Sequence, residues 1–186
     1  AIDLKGYTQD CRPGIFAKMA APIQVSYLGY PGTMAVDYMD YLIADQMLIP
    51  EDSQQHYSEK IIYMPNSYQV NVSQRSVSEI SISRTDLGLP EEGFVFCSFN
   101  NAYKITPSTF ALWMRILKIV DDSVLWLLVS NDETAKNLTK EAEKSGINKN
   151  RLVFAKYVPV EEHLNRIKHA DLFVDNLPYN AHTTSS

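Results

Sequence analysis

The stretch FVFCSFNNAYKITPSTFALWMRILKIVDDSVLWLLVS, residues 94–130, decides the fold class of this chain. It begins and ends with near-continuous apolar runs, which are typical of strands covered on both faces of a sheet. Between these runs, Phe110, Trp113 and Leu117 recur at helical spacing. Thr106 is a suitable N-cap, and the proline that follows it suits the first helical position. The stretch therefore predicts a strand, a helix and a second, parallel strand.

The same alternation extends in both directions. Towards the C-terminus, apolar runs at 152–158 and 172–176 predict two more strands, each preceded by a segment of helical period. The N-terminal half has shorter apolar runs separated by turn residues, and these predict strands at 21–29, 39–45 and 59–65. The sequence thus predicts an α/β protein with parallel sheets, in which the polar stretch from 66 to 84 is a linker between two units.

Composition excludes several classes of protein. With 17 Lys and Arg against 22 Asp and Glu, the formal net charge of the 186 residues is −5, which argues against nucleic acid or anionic lipid as a partner. No apolar run approaches the roughly 18 residues of a membrane span. Cys11 and Cys97 lie far apart and match no zinc spacing. We therefore expect a folded protein of the reducing cytoplasm, without a metal site, a membrane contact or a disulfide scaffold.

The candidate site lies at the carboxyl ends of the C-terminal strands, where parallel sheets bind ligands. The residues that follow these strands are Asn100, Asn101 and Lys104, then Ser130 and Asn131, then 158–163, then 180–184. We expect these turns to meet in one crevice. Because Lys104 lies two residues before the helix start at Thr106, its ammonium and the free N–H groups of that helix could share one anion.

Each candidate also has a plain structural interpretation. Lys104 could be a solvated charge, and His163 could only cap or pack the first turn of a helix. His182, Thr183 and Thr184 could form an ordinary N-cap, although two hydroxyls exceed what one cap requires. On the residues alone these alternatives stay open.

Six segments, in the same order along the chain, resemble the O-linked N-acetylglucosamine transferase family, which includes the plant SPINDLY proteins and bacterial relatives. They are APIQVSYLGYPGT (21–33), YSEKIIYMPNSY (57–68), FCSFNNAYKITPSTF (96–110), SVLWLL (123–128), EEHLNRIKHADLFVD (161–175) and NAHTT (180–184). The bacterial members look more similar than the animal enzyme, because the long insertion between the two halves of the animal enzyme is absent here.

The resemblance implies a GT-B fold, in which two Rossmann-like domains face a cleft. Residues 1–87 would be the C-terminal part of the first catalytic domain with its linker, and 88–186 the N-terminal part of the second, nucleotide-sugar-binding domain. It also implies a metal-independent, inverting enzyme without a cofactor. Such an enzyme moves N-acetylglucosamine from UDP-GlcNAc to Ser or Thr of a polypeptide. Tetratricopeptide repeats are expected upstream in the parent protein, and the chain by itself is expected to be inactive.

The resemblance also assigns roles to individual residues. Lys104 matches the catalytic lysine that neutralises the leaving diphosphate, and Asn101 matches a nucleotide contact. The remaining matches are His163 and Arg166 at the uracil and diphosphate site, His182, Thr183 and Thr184 in the phosphate-binding turn, and Leu28, Gly29 and Pro31 under the donor sugar.

Two positions depart from the animal enzyme, and the first is Asn101, which stands where that enzyme has a glutamine that contacts the nucleotide. Val160 replaces a lysine that lies near the nucleotide base, so base recognition could differ. Two alternatives therefore remain beside the N-acetylglucosaminyltransferase. One is a protein O-fucosyltransferase that uses GDP-fucose, and the other is a non-catalytic module that binds a nucleotide sugar or acts as a scaffold.

Overall fold

A computed structural model describes residues 1–72, 74 and 76–185 of the chain. The chain divides into two compact units, Ala1–Val72 and Ser73–Ser186. No helix in the described ranges combines the length and apolar character needed to cross a membrane.

The first unit is built on a parallel sheet. Its strands are β1 (Ile2–Asp3), β2 (Val25–Tyr27), β3 (Tyr41–Ala44) and β4 (Lys60–Tyr63), and they lie in this order across the sheet. One-turn to two-turn 3₁₀ helices at Pro13–Lys18 and Glu51–His56 precede β2 and β4. A small core packs around Leu42, Ala44 and Ile49. The three strands predicted in this half are present, each shorter than its apolar run.

The second unit is a second parallel sheet with helices between its strands. Its elements are β5 (Phe94–Ser98), α1 (Pro107–Ile119), β6 (Ser123–Leu128), α2 (Asp132–Lys144), β7 (Leu152–Ala155), α3 (Val160–Arg166) and β8 (Leu172–Phe173). The strand order is β7-β6-β5-β8, and every pair is parallel. This confirms the α/β alternation predicted from residues 94–130.

Both faces of the second sheet are covered by apolar cores. Strands β5, β6 and β7 each contribute to both cores, because their successive side chains point to opposite faces of the sheet. Phe96 and Leu125 pack with α1 residues such as Trp113 on one face. Cys97 and Trp126, which are opposite each other in register, belong to the core on the other face. Every residue of β6 is buried, as a central strand of a parallel sheet requires.

Part of the stretch predicted as a linker belongs to the second compact unit, which begins at Ser73. Residues between Ser76 and Leu87 are held by the second unit, where Asn165 Nδ2 donates to the Ile80 carbonyl at 2.7 Å. Arg84 forms an ion pair with Asp171 at 3.0 Å. The polar composition of this segment indicated a linker, but hydrogen bonds from polar side chains hold it to the second unit.

Candidate functional site

A cleft of about 340 Å³ opens at the carboxyl ends of the second sheet. This volume lies in the range of small-molecule sites. The strands end at Ser98, Ala155 and Phe173, earlier than their apolar runs. The cleft is lined by Phe99, Asn100, Asn101, Tyr103, Lys104, Leu128, Tyr157, Val158, Val160, His163, Arg166, His182, Thr183 and Thr184.

Most of the predicted site residues meet in this cleft. They are Lys104, Asn101, His163, Arg166, His182, Thr183 and Thr184. Ser130 and Asn131 are not among the described residues that line it. Instead, Asn131 caps α2, because its side-chain oxygen accepts the Thr134 N–H at 2.8 Å. The Asn131 side chain, which we predicted to lie in the crevice, therefore caps its own helix instead.

Lys104 is half-buried at the end of a single 3₁₀ turn, Ala102–Lys104, that follows β5. Its Nζ donates to the Asn180 carbonyl at 3.1 Å, which directs the ammonium towards the turn at 180–184. No residue of α1 is among the described lining residues, and the sharing of an anion between Lys104 and the start of α1 stays a prediction. Thr106 caps α1 by accepting the Thr109 N–H at 3.2 Å, as predicted.

Arg166 is buried against an aromatic wall. Its guanidinium carbon lies 5.2 Å from the Phe99 ring centroid and 6.0 Å from that of Trp126, and Nη1 donates to the Lys156 carbonyl at 2.7 Å. Stacking on aromatic faces while donating in plane is a geometry that suits arginine and not lysine. The side chain is thereby held rigidly beside the cleft.

His163 is tied to the same group. Its Nδ1 accepts from Arg166 Nε at 3.2 Å, and its ring meets the Phe99 ring edge-on at 4.9 Å. Burial, and then the nearby positive charge of Arg166, lower the pKa of His163 below its usual 6.5. The imidazole is therefore neutral at pH 7 and presents its Nε2–H as a donor.

The turn at 180–184 is held by side chains from the adjacent strands. Thr184 Oγ1 donates to Asn100 Oδ1 at 2.8 Å, and the Ser185 N–H donates to the His182 carbonyl at 3.2 Å. Asp175, just after β8, accepts the Ala181 N–H at 2.8 Å. Burial alone would raise the pKa of Asp175, but its hydrogen bonds hold that pKa below the ordinary value.

Two lining aromatic residues were not identified from the sequence. Tyr157 Oη donates to Asn101 Oδ1, so the Asn101 amide oxygen is engaged and its NH₂ remains a donor. Tyr103 is 82% exposed on the cleft, an unusual position for a large aromatic ring. Tyr157 lies two residues after β7 and Tyr103 lies in the 3₁₀ turn after β5, and a position beyond the carboxyl end of a parallel strand is the signal that could have identified them.

The chemistry of the lining favours an anionic ligand. Lys104 and Arg166 supply positive charge, Thr183 and Thr184 supply hydroxyls, and the described lining includes no carboxylate. Cations and hydrogen-bond donors beside the apolar lining residues Phe99, Leu128 and Val158 suit a ligand with both a charged and an aromatic part. In the described part of the chain, no group of three or more His, Cys, Asp and Glu side chains is arranged to hold a metal ion.

Leu28, Gly29 and Pro31 lie in the other unit, in the turn after β2. Leu28 has a φ of +68°, a conformation that non-glycine residues rarely adopt. A Cβ on Gly29 would lie 2.1 Å from the Leu4 carbonyl oxygen, so only glycine fits. This turn, strained at Leu28 and without a side chain at Gly29, lies at the carboxyl end of a parallel strand, where strain often marks a functional site.

Comparison with known proteins identifies the family. The sequence pattern of glycosyl transferase family 41 matches residues 1–81 and 72–186, which together cover the whole chain. The chain belongs to glycosyl transferase family 41. The resemblance to the O-linked N-acetylglucosamine transferases drawn from the six segments is thereby confirmed.

Two relatives and one solved structure show how far the similarity of this family 41 chain extends. The probable UDP-N-acetylglucosamine–peptide N-acetylglucosaminyltransferase SEC of Arabidopsis thaliana is 37% identical over 190 residues, which is 100% of this chain and 19% of that protein. The probable transferase of the same description named SPINDLY, from Solanum lycopersicum, is 29% identical and covers 99% of this chain and 20% of its own length. A mutant of the Thermobaculum terrenum O-GlcNAc transferase superposes with a TM-score of 0.77 at 28% identity, over 91% of this chain and 32% of that one.

These matches confirm the fold class, α/β of the GT-B type with parallel sheets. The family 41 chain spans about a fifth of the length of the curated relatives, 19% of SEC and 20% of the Solanum lycopersicum SPINDLY.

Proposed function

We propose that this chain is part of an inverting protein O-glycosyltransferase that moves N-acetylglucosamine from UDP-GlcNAc to Ser or Thr of a polypeptide. The observation that carries the proposal is the cleft of the second unit, in which Lys104 and Arg166 face an opening without a carboxylate in the described lining. The names of the family 41 relatives support UDP-N-acetylglucosamine as the donor and a peptide as the acceptor.

In this proposal the two units are parts of the two catalytic domains, as the predicted division into 1–87 and 88–186 states. The nucleotide diphosphate occupies the cleft, with His163 and Arg166 beside the uracil and Asn101 donating through its NH₂. His182, Thr183 and Thr184 bind the phosphates. The Leu28-Gly29 turn and Pro31 lie under the donor sugar, where a turn without a side chain at Gly29 allows close approach.

Lys104 is the residue that stabilises the negative charge formed in the reaction. An acceptor hydroxyl oxygen forms a bond to the anomeric carbon while the bond to the β-phosphate oxygen breaks, and the hydroxyl proton leaves to a base. Negative charge then grows on the leaving UDP. The Lys104 ammonium, already directed towards the 180–184 turn by the Asn180 carbonyl, stabilises that charge more in the transition state than in the ground state.

The setting of the enzyme is also proposed. We place it in the cytoplasm because Cys11 and Cys97, the cysteines of the described chain, are free thiols. Tetratricopeptide repeats upstream would recruit the acceptor polypeptide, as the resemblance implies.

Titration of the 186-residue chain with UDP, GDP and UDP-GlcNAc, followed by thermal shift, tests the donor. We expect UDP and UDP-GlcNAc to raise the melting temperature and GDP to leave it unchanged. A shift with GDP alone would favour the fucosyltransferase. The full-length protein should add N-acetylglucosamine to a Ser/Thr peptide, detected by mass spectrometry, whereas the chain alone should not. Nucleotide binding without any transfer by the full-length protein would favour the non-catalytic module.

A further inference from the structure

Asp175, an exposed residue after β8, is at the centre of a hydrogen-bond network that includes the cleft-lining residue Asn100. Its Oδ1 accepts the Asn176 N–H at 2.7 Å, the Ala181 N–H at 2.8 Å and Asn100 Nδ2 at 3.0 Å. Its Oδ2 accepts Asn180 Nδ2 at 3.1 Å. A carboxylate can accept all of these donors because it is ionised and has lone pairs on both oxygens.

Two of these partners connect Asp175 to the lining of the cleft. Asn100 donates its NH₂ both to Asp175 and to Asn176 Oδ1, and its own Oδ1 accepts the Thr184 hydroxyl at 2.8 Å. Asn180 donates its NH₂ to Asp175, and its carbonyl accepts Lys104 Nζ at 3.1 Å. The Asp175 carboxylate is thus connected, through one intermediate residue in each case, to Lys104 and to Thr184 of the proposed diphosphate site.

We propose that Asp175 is a positioning residue, which orients Asn100 and Asn180 so that Thr184 and Lys104 are held in place for the diphosphate. This inference rests on the proposed function. Asp175 itself is not among the described lining residues, so it acts through its partners. Preorganised donors of this kind depend on neighbours that fix their orientation.

The identity of the residue follows from the donors around it. Asparagine has the same shape as aspartate, but it would direct an NH₂ at Asn180 or at Asn100, so that two donors face each other. Asp175→Asn is therefore a near-isosteric test of the network. Asp171→Asn is its matched control, because Asp171 precedes the same strand β8 and binds Arg84 at 3.0 Å and the Val95 N–H at 2.8 Å. Asp171 is not a lining residue.

The experiment measures UDP affinity by calorimetry in the full-length protein. We expect Asp175→Asn to weaken UDP binding about tenfold, the effect of one mispaired donor, and Asp171→Asn to keep the parental affinity. In a Lys104→Ala background the loss from Asp175→Asn should be smaller than in the parental protein, because the part that acts through Lys104 is already absent and only the part through Asn100 and Thr184 remains. Parental affinity in Asp175→Asn, an equal loss in Asp171→Asn, or full additivity with Lys104→Ala would each overturn the proposal.

Two further measurements keep the test decisive. If Asp175→Asn does not fold, Asn180→Ala removes one link at an exposed site and keeps the carbonyl that binds Lys104. It should weaken UDP binding, and unchanged affinity would overturn the proposal. If the parental protein binds no UDP, the proposed function fails, and hydrogen exchange at the Ala181 amide then tests Asp175 separately. Exchange there should be faster in Asp175→Asn than in Asp171→Asn, and equal exchange would refute the positioning role.

Discussion

Replacing Lys104 by alanine separates catalysis from folding. Its Nζ donates to the Asn180 carbonyl at 3.1 Å, and the side chain is only half-buried. Water can replace that partner, so the loss of folding free energy should be about 1 kcal/mol. We therefore expect a small decrease in melting temperature and an intact fold.

The loss of activity should be much larger. An ammonium about 4 Å from a phosphate oxygen contributes about 4 kcal/mol at an effective dielectric constant near 20. Deleting one preorganised electrostatic contact in an enzyme lowers kcat by about 10² to 10³. We thus expect Lys104→Ala to reduce kcat/KM for transfer by at least ~100-fold, mainly through kcat, because the charge on the leaving diphosphate is greatest in the transition state.

The assay is sugar incorporation into a Ser/Thr peptide by the full-length protein, measured across donor concentrations. Lys144→Ala is the matched control, since it makes the same change in net charge on exposed α2, where Lys144 pairs with Glu141 at 2.7 Å. That variant should retain parental rates. A Lys104→Ala enzyme with near-parental kcat and nucleotide affinity would show that Lys104 is a solvated surface charge, and the reasoning about the cleft would be wrong.

Three further predictions concern stability and reactivity. Thr106→Ala should lower the free energy of unfolding by about 1 kcal/mol in chemical denaturation, because the Thr109 N–H loses its cap. Unfolding free energy should fall as pH drops below 6.5 towards the lowered pKa of His163, since the unfolded chain then binds more protons, and equal slopes in His163→Gln would contradict this. Iodoacetamide at pH 8 should label Cys11 and spare Cys97, because burial raises the pKa of Cys97 to about 12. Peptide mass spectrometry of the native protein measures the labelling, and preferential labelling of Cys97 would contradict this prediction.

Local sequence patterns were sufficient for the elements and for much of the candidate site. The apolar run of β6 and the helical stripe of Phe110, Trp113 and Leu117 depend on periodicities that a short segment carries by itself. Once parallel strands are predicted, their carboxyl ends must share one edge. For that reason Asn101 and the 180–184 turn could be assigned to one crevice without any coordinates.

Only the tertiary structure decided which polar groups bind one another. Asn100 meets Asp175 across 75 positions of sequence, and the Tyr157 hydroxyl meets Asn101 across 56. Asn131 follows a strand as Asn101 does, yet it caps its own helix instead of lining the cleft. Polar residues in turns have no periodicity, so their partners are set by how the surrounding elements pack. That packing depends on the whole sheet, and it is the physical reason the network around Asp175 could not be derived from the sequence.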